Sequence, residues 1–274
     1  MEDGRERLAR LMARRGVASR REAERMIAAG LVTVNRESVR GVVLVDPRVD
    51  EVRVDGRPLP KEPPLVYYAL YKTRGCITGR SDPHGRKSVF DLLPPMPIRV
   101  EPVGRLDYDT EGLLILTNDG DLAHALTHPS RMVPKRYIAK VYRTPDARDL
   151  AALETGIFLE DGRTAPAKAR VIETTEKQNA RIEITVTEGR NRLIRRMMGA
   201  LGHPVSRLRR ESFGTVSLRG LERGQLRPLT MDEVRRLKEI STGKRPARAG
   251  RKKGAGFAKA KPKRVRPNHR KRRS

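Results

Sequence analysis

The carboxylates that matter most for chemistry sit together, in Gly104-Arg105-Leu106-Asp107-Tyr108-Asp109-Thr110-Glu111-Gly112-Leu113-Leu114-Ile115-Leu116-Thr117-Asn118-Asp119-Gly120. With Asp121 this stretch holds five acidic residues inside a chain of formal charge +27. A surface built only to hold phosphates gains nothing from them. Three uses are open. The spacing Asp107-x-Asp109-x-Glu111-Gly112 imitates the start of a calcium loop, but Asn118 stands at the twelfth position, where a bidentate Glu is needed. Turn caps and arginine pairs on a solvated surface are the ordinary fate of residues such as Asp109, Asp119 and Asp121. The third use is a catalytic carboxylate at Asp107, flanked by Arg105 and held against a basic group from elsewhere in the chain.

The elements around Asp107 follow from periodicity. Residues 113 to 116 form an uninterrupted apolar run closed by Thr117-Asn118-Asp119-Gly120, the pattern of a buried strand entering a turn. Residues 121 to 128 place Leu122, Ala125 and Leu126 at helical spacing before Pro129 stops the helix. Asp107 is therefore expected on a loop just before a buried strand, a rigidly supported place for a reactive side chain. Further on, alternation puts Tyr137, Ala139 and Val141 on one face of a strand and Ile138, Lys140 and Tyr142 on the other. Ile182, Ile184 and Val186 mark another strand, and Asp161-Gly162 a hairpin turn. Residues 188 to 198 place Leu193, Ile194, Met197 and Met198 on one helical face and Arg192, Arg195 and Arg196 on the other. That basic face suits phosphates, carboxylates or plain solvation.

Composition points to a polyanionic partner. The 34 residues from Ser241 hold 15 Lys and Arg and no Asp or Glu, and without them the formal charge falls only from +27 to +12. Nucleic acid is the natural partner, and the tail is expected to be disordered when free. Cys76 is the only cysteine, which excludes an intrachain disulfide or a thiolate cluster. No apolar segment follows the first charges, so a cytoplasmic protein without a membrane span is expected.

Two domains are expected, α+β overall. In residues 5–56, Leu8, Leu11 and Met12 repeat at helical spacing up to Gly16, and Ser19-x-x-Glu22 opens a second helix closed by Gly30. Arg14, Arg15, Arg20, Arg21 and Arg25 crowd the turn between them, and short strands follow. Residues 57–64 carry four prolines and read as a stiff linker. The catalytic domain is expected at 65–240, ending in a helix opened by Thr230-x-x-Glu233, and the basic tail at 241–274.

Two resemblances sharpen this. Gly16-Val17-Ala18-Ser19-Arg20-Arg21-Glu22-Ala23 with Leu31-Val32-Thr33-Val34-Asn35 resembles the S4 RNA-binding domain, which implies docking on structured RNA through those arginines. Gly104-Arg105-Leu106-Asp107 with residues 109–114 and 116–120 resembles the central motif of the RsuA/RluB/RluE/RluF family of ribosomal RNA pseudouridine synthases. That resemblance implies a mixed, largely antiparallel sheet with flanking helices, no cofactor or metal, and Asp107 as the catalytic carboxylate. It also implies Arg195 as the cation paired with Asp107, Tyr137 and Ile194 against the base, and Arg105 bracing the space left by a flipped uridine. Arg192 and Arg196 are further candidates for holding RNA. Leu193 departs from the family, which usually has Gln there. A monomer acting on large-subunit ribosomal RNA or a subunit precursor is the expectation, with small-subunit RNA or a non-catalytic assembly factor as alternatives.

Other chemistries fit less well. His124 and His128 lack the Glu and third ligand of a zinc site, and no glycine-rich phosphate loop ending in Lys-Ser or Lys-Thr is present.

Overall fold

The fold is taken from a computed structural model that describes residues 4–80, 82–175 and 179–242. Most of the basic tail, from residue 243, therefore lies outside the described residues.

The N-terminal unit begins with β1 (Glu6–Arg7), α1 (Leu8–Arg14) and α2 (Arg20–Ala28). Ser19 caps α2 by accepting the Glu22 N–H. Leu8, Leu11 and Met12 of α1 pack on Ala23 and Ile27 of α2, as helical spacing requires. Strands β2 (Val32–Val34), β3 (Glu37–Ser38), β4 (Leu44–Val45), β5 (Val52–Val54) and β6 (Arg57–Pro58) follow. Asn35-Arg36 and Asp55-Gly56 all have positive φ, so β2 and β5 each turn back through a two-residue hairpin of the type that matches strand twist. The second hairpin corrects the expected linker. Arg57 and Pro58 pair with β5, and Leu59 packs on the N-terminal core. Proline is tolerated there because the strand lies at the sheet edge.

The larger unit is built on nine strands. In chain order its elements are β7 (Tyr67–Lys72), a 3₁₀ turn (Val89–Leu92), β8 (Glu101–Pro102), β9 (Thr110–Thr117) and α3 (Gly120–Thr127). Then come β10 (Lys135–Val141), α4 (Ala147–Thr155), the hairpin β11 (Phe158–Leu159) and β12 (Gly162–Arg163), β13 (Lys168–Thr174) and β14 (Ala180–Val186). The chain closes with α5 (Leu193–Ala200), β15 (Val205–Phe213), β16 (Val216–Ser217), β17 (Leu226–Pro228) and α6 (Met231–Ser241). The sheet order is β13-β14-β10-β15-β9-β7-β17, with β16 and β8 attached to β15 and β9. Only the β9–β15 pairing is parallel, so the sheet is mixed and largely antiparallel.

Burial explains the uninterrupted apolar run. Leu113 and Ile115 face a core closed by α3 and α6, while Leu114 and Leu116 face a second core with Leu70, Val89 and Leu106. A third core lies under α4 and α5, where Leu153, Ile194, Met197 and Met198 cover Ala139, Ile182, Ile184 and Leu208. β15 escaped the sequence reading because Val205-Ser206-Arg207-Leu208-Arg209-Arg210 carries three arginines, one of them pointing inward.

Gly112 joins the two halves of the sheet. Its φ is +119°, and a Cβ there would stand 2.4 Å from the Arg210 carbonyl oxygen on the parallel neighbour. Both features exclude a side chain. Gly112→Ala is expected to cost about 2–4 kcal/mol through strain and forced separation of the strands, read as a lower denaturant midpoint at unchanged slope.

Candidate active site

The loop carrying Asp107 is held from beneath by buried polar groups. Lys72, at the end of β7, has no exposed surface, and its Nζ donates to the carbonyls of Thr73 at 3.1 Å, Asp107 at 3.0 Å and Thr110 at 2.9 Å. Burial lowers the pKa of this ammonium, against the pull of Asp107 and Asp109. The Thr78 hydroxyl donates to the Leu106 carbonyl at 2.6 Å and accepts the Leu106 N–H at 3.1 Å. The Asp107 backbone is thereby fixed while its carboxyl group, half-buried, opens on a cavity of about 410 Å³.

Arg105, Asp107, Tyr137, Arg192, Leu193 and Ile194 all line that cavity. The loop, β10 and the start of α5 thus bring together most of the expected site. Arg105 is exposed at the rim, and no hydrogen-bond or carboxylate partner engages it among the described residues.

The charge pairing differs from expectation. Arg195 does not pair with Asp107; its Nη2 lies 3.0 Å from Asp109 Oδ2, and Nη1 donates to the Val205 carbonyl at 2.8 Å. Among the described residues Arg192 is the cation paired with the Asp107 carboxylate, at 3.9 Å, and it also meets Asp109 at 3.2 Å. The reason is helical geometry: Arg192 sits at the α5 N-terminus beside the loop, whereas Arg195 lies a turn further in, beneath it. Burial pushes the Asp109 carboxyl up, but the bonds from Arg192 and the charges of Arg195 and Arg192 outweigh it and hold the group below its ordinary value. Arg196, expected near RNA, turns instead to Asp161 in the β11–β12 hairpin, at 2.9 Å from its Oδ2.

The five N-terminal arginines divide in the same way. Arg14 is taken by Glu6 and Glu62, and Arg15 donates to the Pro60 carbonyl at 3.0 Å. Arg25 pairs with Glu22 at 2.9 Å. Arg20 and Arg21 stay exposed, with no partner among the described residues. No group of three or more His, Cys, Asp or Glu side chains is placed to hold a metal ion among the described residues. No helix there is long and apolar enough to cross a membrane.

Two buried cations of the cavity were missed by the sequence reading. Lys135 and Arg210 line it, and both are buried. Lys135 Nζ donates to the Val133 carbonyl at 3.0 Å, and Arg210 Nε to the Leu113 carbonyl at 2.7 Å, while Arg210 Nη2 is buried without a hydrogen-bond partner. The available signal was parity: Lys135 shares a strand face with Tyr137, Ala139 and Val141, so it must point inward.

Comparison with known proteins gives the family. Residues 66–200 match the family model described as RNA pseudouridylate synthase, and residues 6–42 match the S4 domain. The chain is 46% identical over 237 residues to the Bacillus subtilis protein named ribosomal large subunit pseudouridine synthase B, covering 86% of this chain and 97% of that one. It is 44% identical over 235 residues to an RNA pseudouridine synthase of Aquifex aeolicus, covering 84% and 93%. A solved pseudouridylate synthase superposes with a TM-score of 0.62 at 30% identity, covering 84% of this chain and 99% of that one.

Burial, with Arg210 nearby, pushes the Lys135 ammonium down from 10.5 to about 8, against the pull of Glu188. The folded pKa lies below the unfolded one, so the unfolded chain holds more protons between them and stability rises with pH in that window. Compared with Lys135→Met, the wild type is expected to gain relative stability from about pH 8 to pH 10.5 and to show a constant difference below pH 7. Denaturant titrations of both proteins across that range check the sign.

Proposed function

From the RNA pseudouridylate synthase family, to which this chain belongs, we infer a ribosomal RNA enzyme that isomerises a uridine of the large subunit, with Asp107 as its catalytic carboxylate. The observation that carries the assignment is the position of that carboxylate. It lies on a braced loop at a cavity shared with Tyr137 and Ile194, beside a single looser cation. The relative named for large-subunit ribosomal RNA, matched along 97% of its length, supports the choice of substrate. Such a substrate fits a cytoplasmic enzyme working as a monomer.

The reaction breaks the N1–C1′ bond, turns the base in place and joins C5 to C1′; N1 gains a proton and C5 loses one. A negative oxygen beside C1′ serves this whether it bonds to the sugar or balances a cationic ribosyl centre. Arg192 places its positive charge 3.9 Å from the Asp107 carboxylate, a loose contact that leaves the oxygens turned to the cavity. The uridine must leave its stack to arrive there, and Arg105, unpaired at the rim, takes up the vacated space. Tyr137 and Ile194 hold the base and help exclude water, which would otherwise capture the sugar. Of the five N-terminal arginines expected on RNA, Arg20 and Arg21 are the two left to meet phosphates, since Arg14, Arg15 and Arg25, like Arg196 in the larger unit, are already engaged.

Tritium release from RNA labelled at uridine C5 tests the assignment, because C5 loses its hydrogen only on becoming the glycosidic carbon. Wild-type protein is expected to release tritium from large-subunit RNA without added metal. Asp107→Asn should bind the same RNA with turnover reduced roughly 10⁴-fold, the scale of other charge-removing changes at catalytic carboxylates. Release by Asp107→Asn at the wild-type rate would sink the role of this residue, and release from small-subunit RNA alone would move the target.

A further inference from the structure

The β13-β14-β10-β15 half of the sheet has two unlike faces. One is the core beneath α4 and α5 that also floors the cavity. On the other, register places Arg207 directly opposite Lys140, and Lys140 directly opposite Arg181. All three side chains are exposed. Adjacent strands lie about 4.8 Å apart, so this row sets three cations across about 10 Å. In the neighbouring rows Arg170 and Lys168 are exposed as well.

The carboxylates available do not balance this row. Glu183 is shared by Arg136 at 2.8 Å and Arg170 at 2.9 Å, and Glu173 takes Arg181 at 2.8 Å. Lys140 and Arg207 have neither a carboxylate nor a side-chain hydrogen-bond partner among the described residues. Like charges directly opposite on antiparallel strands destabilise the pair. Exposed strand positions are served better by threonine or valine, so nothing in folding asks for this arrangement.

We propose that this reverse face is a second RNA-binding surface, which grips phosphates of a segment of the substrate other than the one entering the cavity. It rests on the reading that the substrate is RNA. A protein partner fits less well, since protein interfaces centre on buried apolar anchors and are depleted of Lys, whereas nucleic-acid interfaces are polar and strongly positive. An RNA long enough to reach both faces is held at two points, which adds affinity without touching the chemistry.

The test is the full-length double variant Lys140→Gln/Arg207→Gln, compared with wild type on full-length RNA and on a short stem-loop cut around the modified uridine. Turnover of the stem-loop by wild type is the control for the reaction itself, so a failed reaction is told apart from a failed surface. The variant is expected to keep stem-loop kcat and KM. On full-length RNA its KM should rise roughly three- to tenfold, with the salt slope of binding smaller by about two. Its unfolding midpoint should rise by about 1–3 °C, because the repulsion is gone. Weaker binding together with higher stability separates a ligand-facing role from a structural one. An unchanged KM and salt slope on full-length RNA would overturn the proposal and leave the face to an acidic protein.

Discussion

The buried ammonium of Lys72 is the interaction on which the site depends. An isolated charge removed from water is costly, and burial is tolerated only with full hydrogen bonding. Lys72 has three donors and three carbonyl acceptors, and these belong to Thr73, Asp107 and Thr110. One side chain on β7 therefore ties down both ends of the turn that leads into β9. The close passage of Gly112 past Arg210 fixes the next point of the chain, and Arg210 returns a bond to the Leu113 carbonyl. Placement of Asp107 is thus a property of the sheet interior, which is the support a reactive group needs.

The same rigidity explains the division of labour between two aspartates. Asp109 is met by Arg195 at 3.0 Å and Arg192 at 3.2 Å, and its backbone carbonyl also accepts from Arg195 at 3.2 Å. It acts as a structural clamp between the loop and α5. Among the described residues the Asp107 carboxylate has only the 3.9 Å approach of Arg192. A carboxylate held in a close, two-point arginine pair has its oxygens directed at the arginine. The looser contact leaves those of Asp107 open to the cavity, consistent with its proposed role at C1′.

Much of this was legible in the residue pattern, for reasons that differ by element. The apolar run at 113–116, the caps at Ser19 and Thr230, and the alternation at 137–141 are local signals, and each marks an element that formed. The resemblance added the family and, for the cavity, Arg105, Tyr137 and Ile194 beside Asp107. What stayed hidden depends on three-dimensional registration. The partner of Asp107 was assigned to Arg195, but whether Arg192 or Arg195 reaches it is set by where α5 begins relative to the loop. Lys72 and Lys135 look like ordinary strand-end lysines until the sheet closes over them. β15 was masked because its inward Arg210 breaks the apolar alternation that a buried strand is expected to show.

The charge of the chain also reads differently once the pairs are known. A net surplus of cations describes the far field that draws RNA in, but not which cations touch it. Arg10 is held by Asp121 at 2.6 Å, and Arg14 by Glu6 and Glu62, so the arginines of α1 fasten the N-terminal unit to the linker and to α3. Anchoring those side chains stiffens the joint and withdraws them from phosphate contact. The cations proposed to grip RNA are among those without an internal partner: Arg20 and Arg21 on α2, Arg105 at the cavity rim, and Lys140 with Arg207 behind the sheet. Because these groups lie on separate elements braced by paired ones, the proposed grip holds a folded RNA by its shape while the loop of Asp107 stays fixed by the sheet.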